Sequence, residues 1–169
     1  LMPMYEAIKA SGLPMALSMS KDLSVFNKEN LEPILKDSAI IFANEVEVAW
    51  IEEMYDYTDI TELFKLGKTE LIIKTLGSRG SIVYEKTDQG VRETAVAITE
   101  PESADINAIG AGDAYVAGFL FGLSKGVDPV TAAQYGSTEA SFIIEDKGSV
   151  TCAPTEEQLL ERNSRRKDI

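Results

Sequence analysis

Short apolar runs alternate with segments of helical spacing along the first half of the chain. Apolar runs bounded by proline, glycine or polar residues are typical of buried strands, and they cover 15–19, 39–43 and 71–76. Helical spacing predicts helices over 4–10, 24–36 and 45–55. We expect Pro33 to interrupt the second of these helices. The third would carry an apolar side formed by Val46, Ala49, Trp50 and Met54, with Trp50 in the core.

The second half of the chain contains a predicted hairpin followed by a mainly helical region. Residues 81–85 and 91–98 flank a polar turn, which predicts paired strands, and a loop over 99–109 follows. Further helices are predicted over 113–123, 129–146 and 155–166. Alternation of strands and helices followed by a hairpin predicts an α/β fold, with a mostly parallel sheet and flanking helices.

The composition is that of an ordinary globular protein with a strongly acidic charge. Of the 169 residues, 44% are hydrophobic and 26% are charged, which excludes the disordered and fibrous classes. The net charge of −12 repels phosphate backbones, so we expect no nucleic-acid partner. The longest nearly uncharged apolar stretch, 114–123, is too short to span a bilayer, so we expect no membrane partner.

The cysteine and histidine counts limit the available chemistry. A single cysteine, Cys152, leaves no disulfide framework; this favours a reducing compartment, and we expect a cytoplasmic protein with Cys152 as a small buried hydrophobe. The absence of histidine excludes Ser-His-Asp triads and histidine-ligated zinc, so carboxylates, lysine or tyrosine must supply any acid–base chemistry. Residues 161–169 are locally basic, and we expect a solvated tail there.

A pair of glycines before the predicted helix over 113–123 forms the most informative segment. Gly110 and Gly112 let the backbone turn sharply and approach a ligand closely. The first N–H groups of the following helix attract anions, and Asp113 places a carboxylate beside them. The segment lacks the third glycine of a dinucleotide fingerprint and the lysine of a Walker A loop. By itself it also fits a glycine-opened helix that Asp113 merely caps.

Three motifs occur in a characteristic order along the chain. They are N-x-x-E at 44–47, T-L-G-S-R-G at 75–80 and N-A-I-G-A-G-D-A-Y at 107–115. Together they resemble the ribokinase (pfkB) family of carbohydrate and nucleoside kinases, and the stretch 132–148 is similar to the helix that closes over adenine in that family. The resemblance extends over essentially the whole chain. It implies a ribokinase-like fold and an ATP-dependent kinase that phosphorylates a hydroxyl group of a sugar or nucleoside.

The resemblance implies a catalytic role for the glycine pair and the residues around it. Asp113 would be the general base that takes the proton from the acceptor hydroxyl. The backbone N–H groups of Ala111, Gly112 and Asp113, with Gly110 shaping the turn, would form an anion hole for the transferred phosphoryl group. On the residues alone, the alternative of a merely capped helix stays open.

The resemblance also implies the residues that bind ATP and Mg²⁺. The nucleotide site would be lined by Thr75, Gly77, Gly80 and Asn107. Asn44 and Glu47 would organise Mg²⁺ through water, and a monovalent cation such as K⁺ is a further expected cofactor. The structural alternative is a helix start in which Asn44 is the cap and Glu47 is solvated. Arg79 is equally well explained as a solvated turn residue.

The chain departs from the family pattern in its signature motif and in its length. Asn107 and Ala108 replace the Asp-Thr pair of the family, which removes a negative charge near the metal and phosphates; Asp105 could substitute only if the loop were remodelled. Family members are considerably longer. We therefore expect residues 1–169 to form one nucleotide-side portion of a ribokinase-like domain, with the lid and the amino-terminal half absent.

A missing half would leave a sheet edge exposed, and we expect self-association, such as a homo-oligomer, through that edge. The acceptor-binding residues would lie outside the chain, so nucleosides and small sugars both stay open as acceptors. An alternative function is a homologue that binds a nucleotide or a partner without transferring phosphate.

Overall fold

A five-stranded open sheet with the order β1-β2-β3-β4-β5 organises the protein. The computed structural model describes residues 2–19, 23–145 and 153–166. The strands are Met15–Ser18 (β1), Ser38–Asn44 (β2), Leu71–Thr75 (β3), Ser81–Thr87 (β4) and Gly90–Val96 (β5). β1 pairs parallel with β2, and β2 with β3, in a register that places Ile41 beside both Leu17 and Ile72.

β4 and β5 each run opposite to the strand before them, because the connections that lead to them are short. β4 follows β3 after 76–80 and β5 follows β4 after 88–89, whereas a parallel crossover needs a dozen or more residues. The backbone bond from Lys86 N to Glu70 O, at 2.9 Å, fits the antiparallel pairing of β3 with β4. Within the described residues, β4 therefore opposes the other four strands, and the predicted mostly parallel sheet and the hairpin are confirmed.

Six α-helices flank the sheet in the described part of the chain. They are Met2–Ser11 (α1), Lys28–Asp37 (α2), Glu45–Tyr55 (α3), Ala111–Ser124 (α4), Pro129–Ile144 (α5) and Glu156–Ser164 (α6). Short 3-10 helices cover Leu23–Val25, Ile60–Lys65 and Gly77–Arg79. Over the ranges described, no helix has both the length and the apolar character that crossing a membrane requires.

The chain divides into two compact units, each with its own packing. Unit 1 comprises Leu1–Leu76 and Ile82–Glu93, and unit 2 comprises Gly77–Ser81 and Thr94–Ile169. The core of unit 1 contains fully buried residues of β2, β3 and α3, namely Ile41, Ile72 and Ile51. Trp50 is half-buried against this core, with its ring centroid 6.3 Å from that of Phe26, in line with its predicted packing role.

Close backbone approach between α4 and α5 characterises unit 2. A Cβ added at Gly118 would stand 2.6 Å from Tyr135 O, and one added at Gly136 would stand 2.6 Å from Tyr115 O. Both distances are shorter than real Cβ contacts, so side chains at these positions would push the helices apart. Glycine is therefore required here for packing, a requirement that is independent of any ligand.

Two details of the predicted helices are wrong. α2 begins at Lys28, later than predicted, and continues through Pro33, because the loss of one backbone bond is offset by the burial of Leu31 and Leu35. In α3, the predicted apolar side is only partly buried: Val46 is 71% exposed and Trp50 and Met54 are half-buried, whereas Val48, Ile51 and Tyr55 are the fully buried apolar residues. Apolar residues lie on more than one side of α3, so spacing alone did not fix its rotation.

Candidate active site

Helix α4 begins at the predicted glycine pair. Its N-cap, Gly110, has φ +83°, a left-handed conformation that glycine adopts readily, and no side chain caps the helix. The N–H of Ala111 donates a hydrogen bond to Ala108 O at 3.2 Å, whereas the next two residues, Gly112 and Asp113, are exposed. The helix therefore presents N-terminal N–H groups beside an exposed carboxylate, an arrangement able to bind an anion and accept a proton.

The space beside Gly112 is open. A Cβ built on this residue would meet no heavy atom within 4 Å, and the backbone of Gly112 does not have a positive φ. Neither sterics nor backbone conformation therefore requires glycine at this position. Its lack of a side chain leaves room for a ligand to approach the backbone directly.

The turn that follows this exposed start is firmly attached. Ala114 and Tyr115 are buried, and the Tyr115 hydroxyl lies 2.8 Å from Ser81 Oγ at the beginning of β4. Burial raises the pKa of Tyr115 well above its ordinary value, so the hydroxyl stays protonated and serves as a structural hydrogen-bonding group. The exposed start of α4 thus rests on a buried, hydrogen-bonded turn.

The T-L-G-S-R-G motif forms the 3-10 turn between β3 and β4, and its two glycines differ. Gly80 has φ +91°, and an added Cβ would collide with Val96 O, so the packing of β5 requires glycine there. Gly77 has φ +60°, but an added Cβ would meet nothing within 4 Å. Of the two predicted nucleotide-binding glycines, Gly77 therefore has backbone that a ligand can approach. The presence of glycine at position 80 is already explained by packing against Val96.

Register between β2 and β3 brings two predicted site residues together in unit 1. Asn44 is the register partner of Thr75 at the carboxyl ends of these parallel strands. In open α/β sheets ligands bind at the carboxyl ends of the strands, so this pair occupies a typical position for a binding site.

Asn44 and Glu47 form a reciprocal capping box at the start of α3. Asn44 Oδ1 accepts hydrogen bonds from Val46 N at 2.9 Å and from Glu47 N at 3.0 Å, while Glu47 Oε2 accepts one from Asn44 N at 2.8 Å. Asn44 is therefore a helix cap, as in the structural alternative, but Glu47 is only 6% exposed rather than solvated. The carboxylate is buried because it closes the box.

The capping box leaves limited capacity for a metal. Within 2–19, 23–145 and 153–166, no group of three or more His, Cys, Asp or Glu side chains is arranged to hold a metal ion. Asn44 Oδ1 is used twice by the cap, whereas Glu47 uses Oε2, and its second oxygen has no bond to another described residue. Because Mg²⁺ usually keeps several waters, these residues fit an ion held through water by Glu47.

Asn107 lies in the loop that leads to Gly110, in unit 2. Its Oδ1 accepts a hydrogen bond from Ile109 N at 3.1 Å, and its backbone N–H donates to Ile144 O at 2.7 Å. Asp105, two residues before Asn107, is exposed. Asn44, Glu47 and Thr75 belong to unit 1, while Gly77, Gly80 and the segment 107–113 belong to unit 2.

A cleft of about 600 Å³ in unit 2 was missed by the sequence analysis. It is lined by two residues of the T-L-G-S-R-G turn, the segment after β5 and three arginines of the basic end: Ser78, Arg79, 97–100, Glu102, Arg162, Arg165 and Arg166. The predicted solvated tail is therefore wrong for Arg162, which is 7% exposed and paired with Glu145. Arg162 follows buried Leu159 by three positions on α6, a spacing that could have placed it on the inner face.

Two sequence predictions concern residues outside those described. Cys152, expected to be buried, lies there, as do the last residues of the basic end, 167–169. The helix predicted over 129–146 ends at Ile144 as α5. The remaining part of the stretch expected to close over adenine, 146–148, also lies outside the described residues.

Comparison with known proteins gives one family for nearly the whole chain. The pfkB family carbohydrate kinase model matches residues 4–156. The nucleoside kinase of Methanothermobacter thermautotrophicus is 31% identical over 157 residues, which cover 93% of this chain and 48% of that protein. The nucleoside kinase of Methanocaldococcus jannaschii is 32% identical over 142 residues, covering 84% and 44%.

Solved structures agree on the fold. The crystal structure of the Methanocaldococcus jannaschii nucleoside kinase, an archaeal member of the ribokinase family, matches with a TM-score of 0.82 and 28% identity over 90% of this chain and 48% of that one. The Arabidopsis thaliana ribokinase bound to ribose and ATP matches with a TM-score of 0.76 and 20% identity, over 94% and 50%, which supports the fold alone.

The fold is thus ribokinase-like, as the motifs predicted. The chain spans about half the length of the relatives it matches. With the family model matching 4–156 and the glycine-opened helix in place, the chain belongs to the pfkB family of carbohydrate kinases.

Proposed function

We propose that this chain is the nucleotide-side portion of an ATP-dependent kinase that phosphorylates a hydroxyl group of a nucleoside or sugar. The observation that carries the proposal is the start of α4, where N–H groups without a side-chain cap adjoin the exposed Asp113. The two relatives named as nucleoside kinases favour a nucleoside over a sugar as the acceptor.

In the proposed reaction, Asp113 accepts the proton of the attacking hydroxyl. The backbone N–H groups of Gly112 and Asp113 stabilise the negative charge that develops on the transferred phosphoryl group, while that of Ala111, which donates to Ala108 O, shapes the turn before them. The open space at Gly112 lets the phosphoryl oxygens reach these groups. General-base catalysis of this kind contributes roughly 10²–10⁴ in rate.

The nucleotide is held by residues at the carboxyl ends of the strands and in the turn after β3. In unit 2, Gly77 and Asn107 are the proposed contacts and Gly80 shapes the turn; in unit 1, the proposed contact is Thr75. Glu47 would hold Mg²⁺ through water, and that ion, when bound, neutralises charge on the phosphates.

An ATP titration by calorimetry, with and without Mg²⁺, tests the binding part of the proposal. We expect binding that strengthens with Mg²⁺, and parallel titrations in potassium and sodium buffers test the monovalent cation. Transfer is then assayed with a panel of nucleosides and sugars. A folded chain that binds no ATP under any of these conditions would contradict the proposal.

Asp113→Asn separates catalysis from binding. Asparagine at this position keeps the size of the side chain but cannot take the proton, so turnover should fall about 10²–10⁴-fold. Mg·ATP affinity should stay within a few-fold of the original value, because the N–H groups are unchanged. Unchanged turnover would remove Asp113 as the base.

A second candidate function is nucleotide binding without transfer. Asn107 favours it, because the family aspartate and its negative charge are absent at this position. This candidate predicts Mg·ATP binding by calorimetry but no phosphorylated product with any acceptor of the panel. Detection of one phosphorylated nucleoside or sugar would exclude it.

A further inference from the structure

The segment 97–110 links β5 to α4 without regular secondary structure. Irregular loops of this length are uncommon in compact domains and are usually functional. The segment carries Asn107 and ends at Gly110, so its position determines where the start of α4 presents its N–H groups and Asp113.

The segment is attached to α5 and its C-cap at three points. Thr99 N donates to Ser137 Oγ at 2.7 Å, and Thr99 Oγ1 lies 2.8 Å from Thr138 Oγ1. Glu102 N donates to a carboxylate oxygen of Glu145, the C-cap of α5. The third attachment is the bond from Asn107 N to Ile144 O described above.

Arg162 of α6 lies at the centre of the second attachment. It donates to both carboxylate oxygens of Glu145, at 3.0 and 3.1 Å, and to Ser141 Oγ at 3.0 Å. Its Nη2 also lies 3.3 Å from Glu102 Oε2, and its guanidinium carbon lies 3.5 Å from the centre of the Phe142 ring. A buried guanidinium with this set of partners holds a defined geometry.

Two cations balance two carboxylates in this group, which comprises Glu102, Glu145, Arg162 and Arg165 and is called the Arg162 clamp below. Arg165 Nη1 lies 3.2 Å from Glu102 Oε1, so Glu102 contacts both arginines. Glu102 N also bonds to Glu145, which brings the two carboxylate residues close together. Without the guanidinium between them, their like charges would repel and release Glu102.

We propose that Arg162 is a positioning residue of the nucleotide site. Through Glu102 and Glu145 it fixes the segment 97–110, and thereby holds Asn107 and the start of α4 in the arrangement that receives Mg·ATP. The proposal rests on the proposed function, but its structural part, the fixing of the segment, is measurable without any nucleotide.

Glu102→Gln is the decisive variant. Replacing Arg162 itself would leave the mostly buried side chain of Glu145 without its ion pair, with a risk of unfolding, whereas the Glu102 side chain is 55% exposed. Glu100→Gln is the matched control, because Glu100 is exposed, lies in the same segment and lines the same cleft. Glu100 forms no ion pair with another described residue.

Amide hydrogen exchange over 103–112 tests the clamp directly. We expect exchange about fivefold faster in Glu102→Gln, the upper range for loss of an exposed ion pair, and no change in Glu100→Gln. Mg·ATP affinity should fall by a similar factor in Glu102→Gln alone, while its Tm stays that of the unmodified chain. A purely structural role would not lower affinity at constant Tm.

The outcomes separate this inference from the proposed function. Unchanged exchange over 103–112 in Glu102→Gln overturns the clamp, whatever the nucleotide does. Faster exchange with unchanged Mg·ATP affinity overturns the positioning role. If the unmodified chain binds no Mg·ATP, the proposed function fails and the positioning role fails with it, while faster exchange in Glu102→Gln alone still supports the fixing of the segment.

Discussion

Helices α3 and α4 begin in opposite ways. α3 starts at Asn44 with a reciprocal capping box, in which side chains of the protein satisfy the first N–H groups. α4 starts at Gly110 with no side-chain cap and with open space beside Gly112. Both helices have the same N-terminal groups to satisfy, but only the start of α4 leaves them available to a ligand.

The contrast extends to the other helices whose starts are described. Side chains cap α2, α5 and α6, through Asn27, Asp128 and Thr155. The N-x-x-E motif is therefore explained fully by local structure, whatever further role Glu47 has. The G-A-G-D motif is not, because neither packing nor backbone conformation accounts for glycine at position 112.

Gly112→Ala tests the open start of α4 with the largest expected effect. The added methyl group would occupy the open space beside the N–H groups, and loss of an anion-hole contact costs about 10²-fold in turnover. Folding stability should stay equal or rise slightly, because alanine favours a helix more than glycine does. Turnover and Tm are the two measurements.

Gly126→Ala is the control at the other end of α4. Gly126 has φ +78° and also faces open space, so alanine there strains the backbone by roughly 1–2 kcal/mol. We expect a lower Tm with unchanged turnover, the reverse of the result for Gly112→Ala. Equal turnover losses in both variants would contradict a ligand role for Gly112.

Glu47→Gln separates the cap of α3 from a metal role. Glutamine keeps an oxygen that accepts the bond from Asn44 N, so stability should change little, whereas loss of the charge should weaken Mg²⁺ dependence about tenfold. Mg²⁺ titrations of ATP binding and thermal unfolding measure the two effects. If Mg²⁺ dependence is unchanged, the motif has a structural role alone.

Two variants that remove a helix cap measure how much stability the cap itself contributes. Asn44→Ala removes the cap of α3, and Asn27→Ala removes the similar capping box of α2, which contains no carboxylate. Each should lower the free energy of unfolding by about 1 kcal/mol. A change in Mg²⁺ dependence is expected for Asn44→Ala alone, because Glu47 loses its position.

Asn107→Asp has the smallest expected effect and changes the loop that precedes α4. Aspartate can keep the acceptor bond to Ile109 N and restores the family charge, so Mg²⁺ affinity or turnover should rise a few-fold. Calorimetry and the transfer assay measure the change. The absence of an effect on either would show that Asn107 is a benign departure.

Self-association through an open sheet edge stays a prediction. β1 and β5 are the outer strands of the described sheet, and unpaired edges favour pairing between chains. Light scattering at high concentration measures it, and a clean monomer would count against the prediction.

The sequence by itself determined the order of the elements and the position of the glycine pair. Apolar runs and turn residues act over a few positions, so β2, α3 and the hairpin were predicted close to their observed bounds. Capping residues act just as locally. Asn44 was predicted as a possible cap on this local basis, whereas the burial of Glu47 in a reciprocal box was not.

Tertiary structure alone decided three features. They are the side of α3 that is buried, the burial of Arg162, and the glycines that packing requires. Each depends on neighbours distant in sequence: the sheet for Val48 and Ile51, Glu145 and Ser141 for Arg162, and Val96 for Gly80. The sequence shows whether a side chain is apolar or charged. Whether burying that side chain stabilises the protein depends on the partners that the fold places around it.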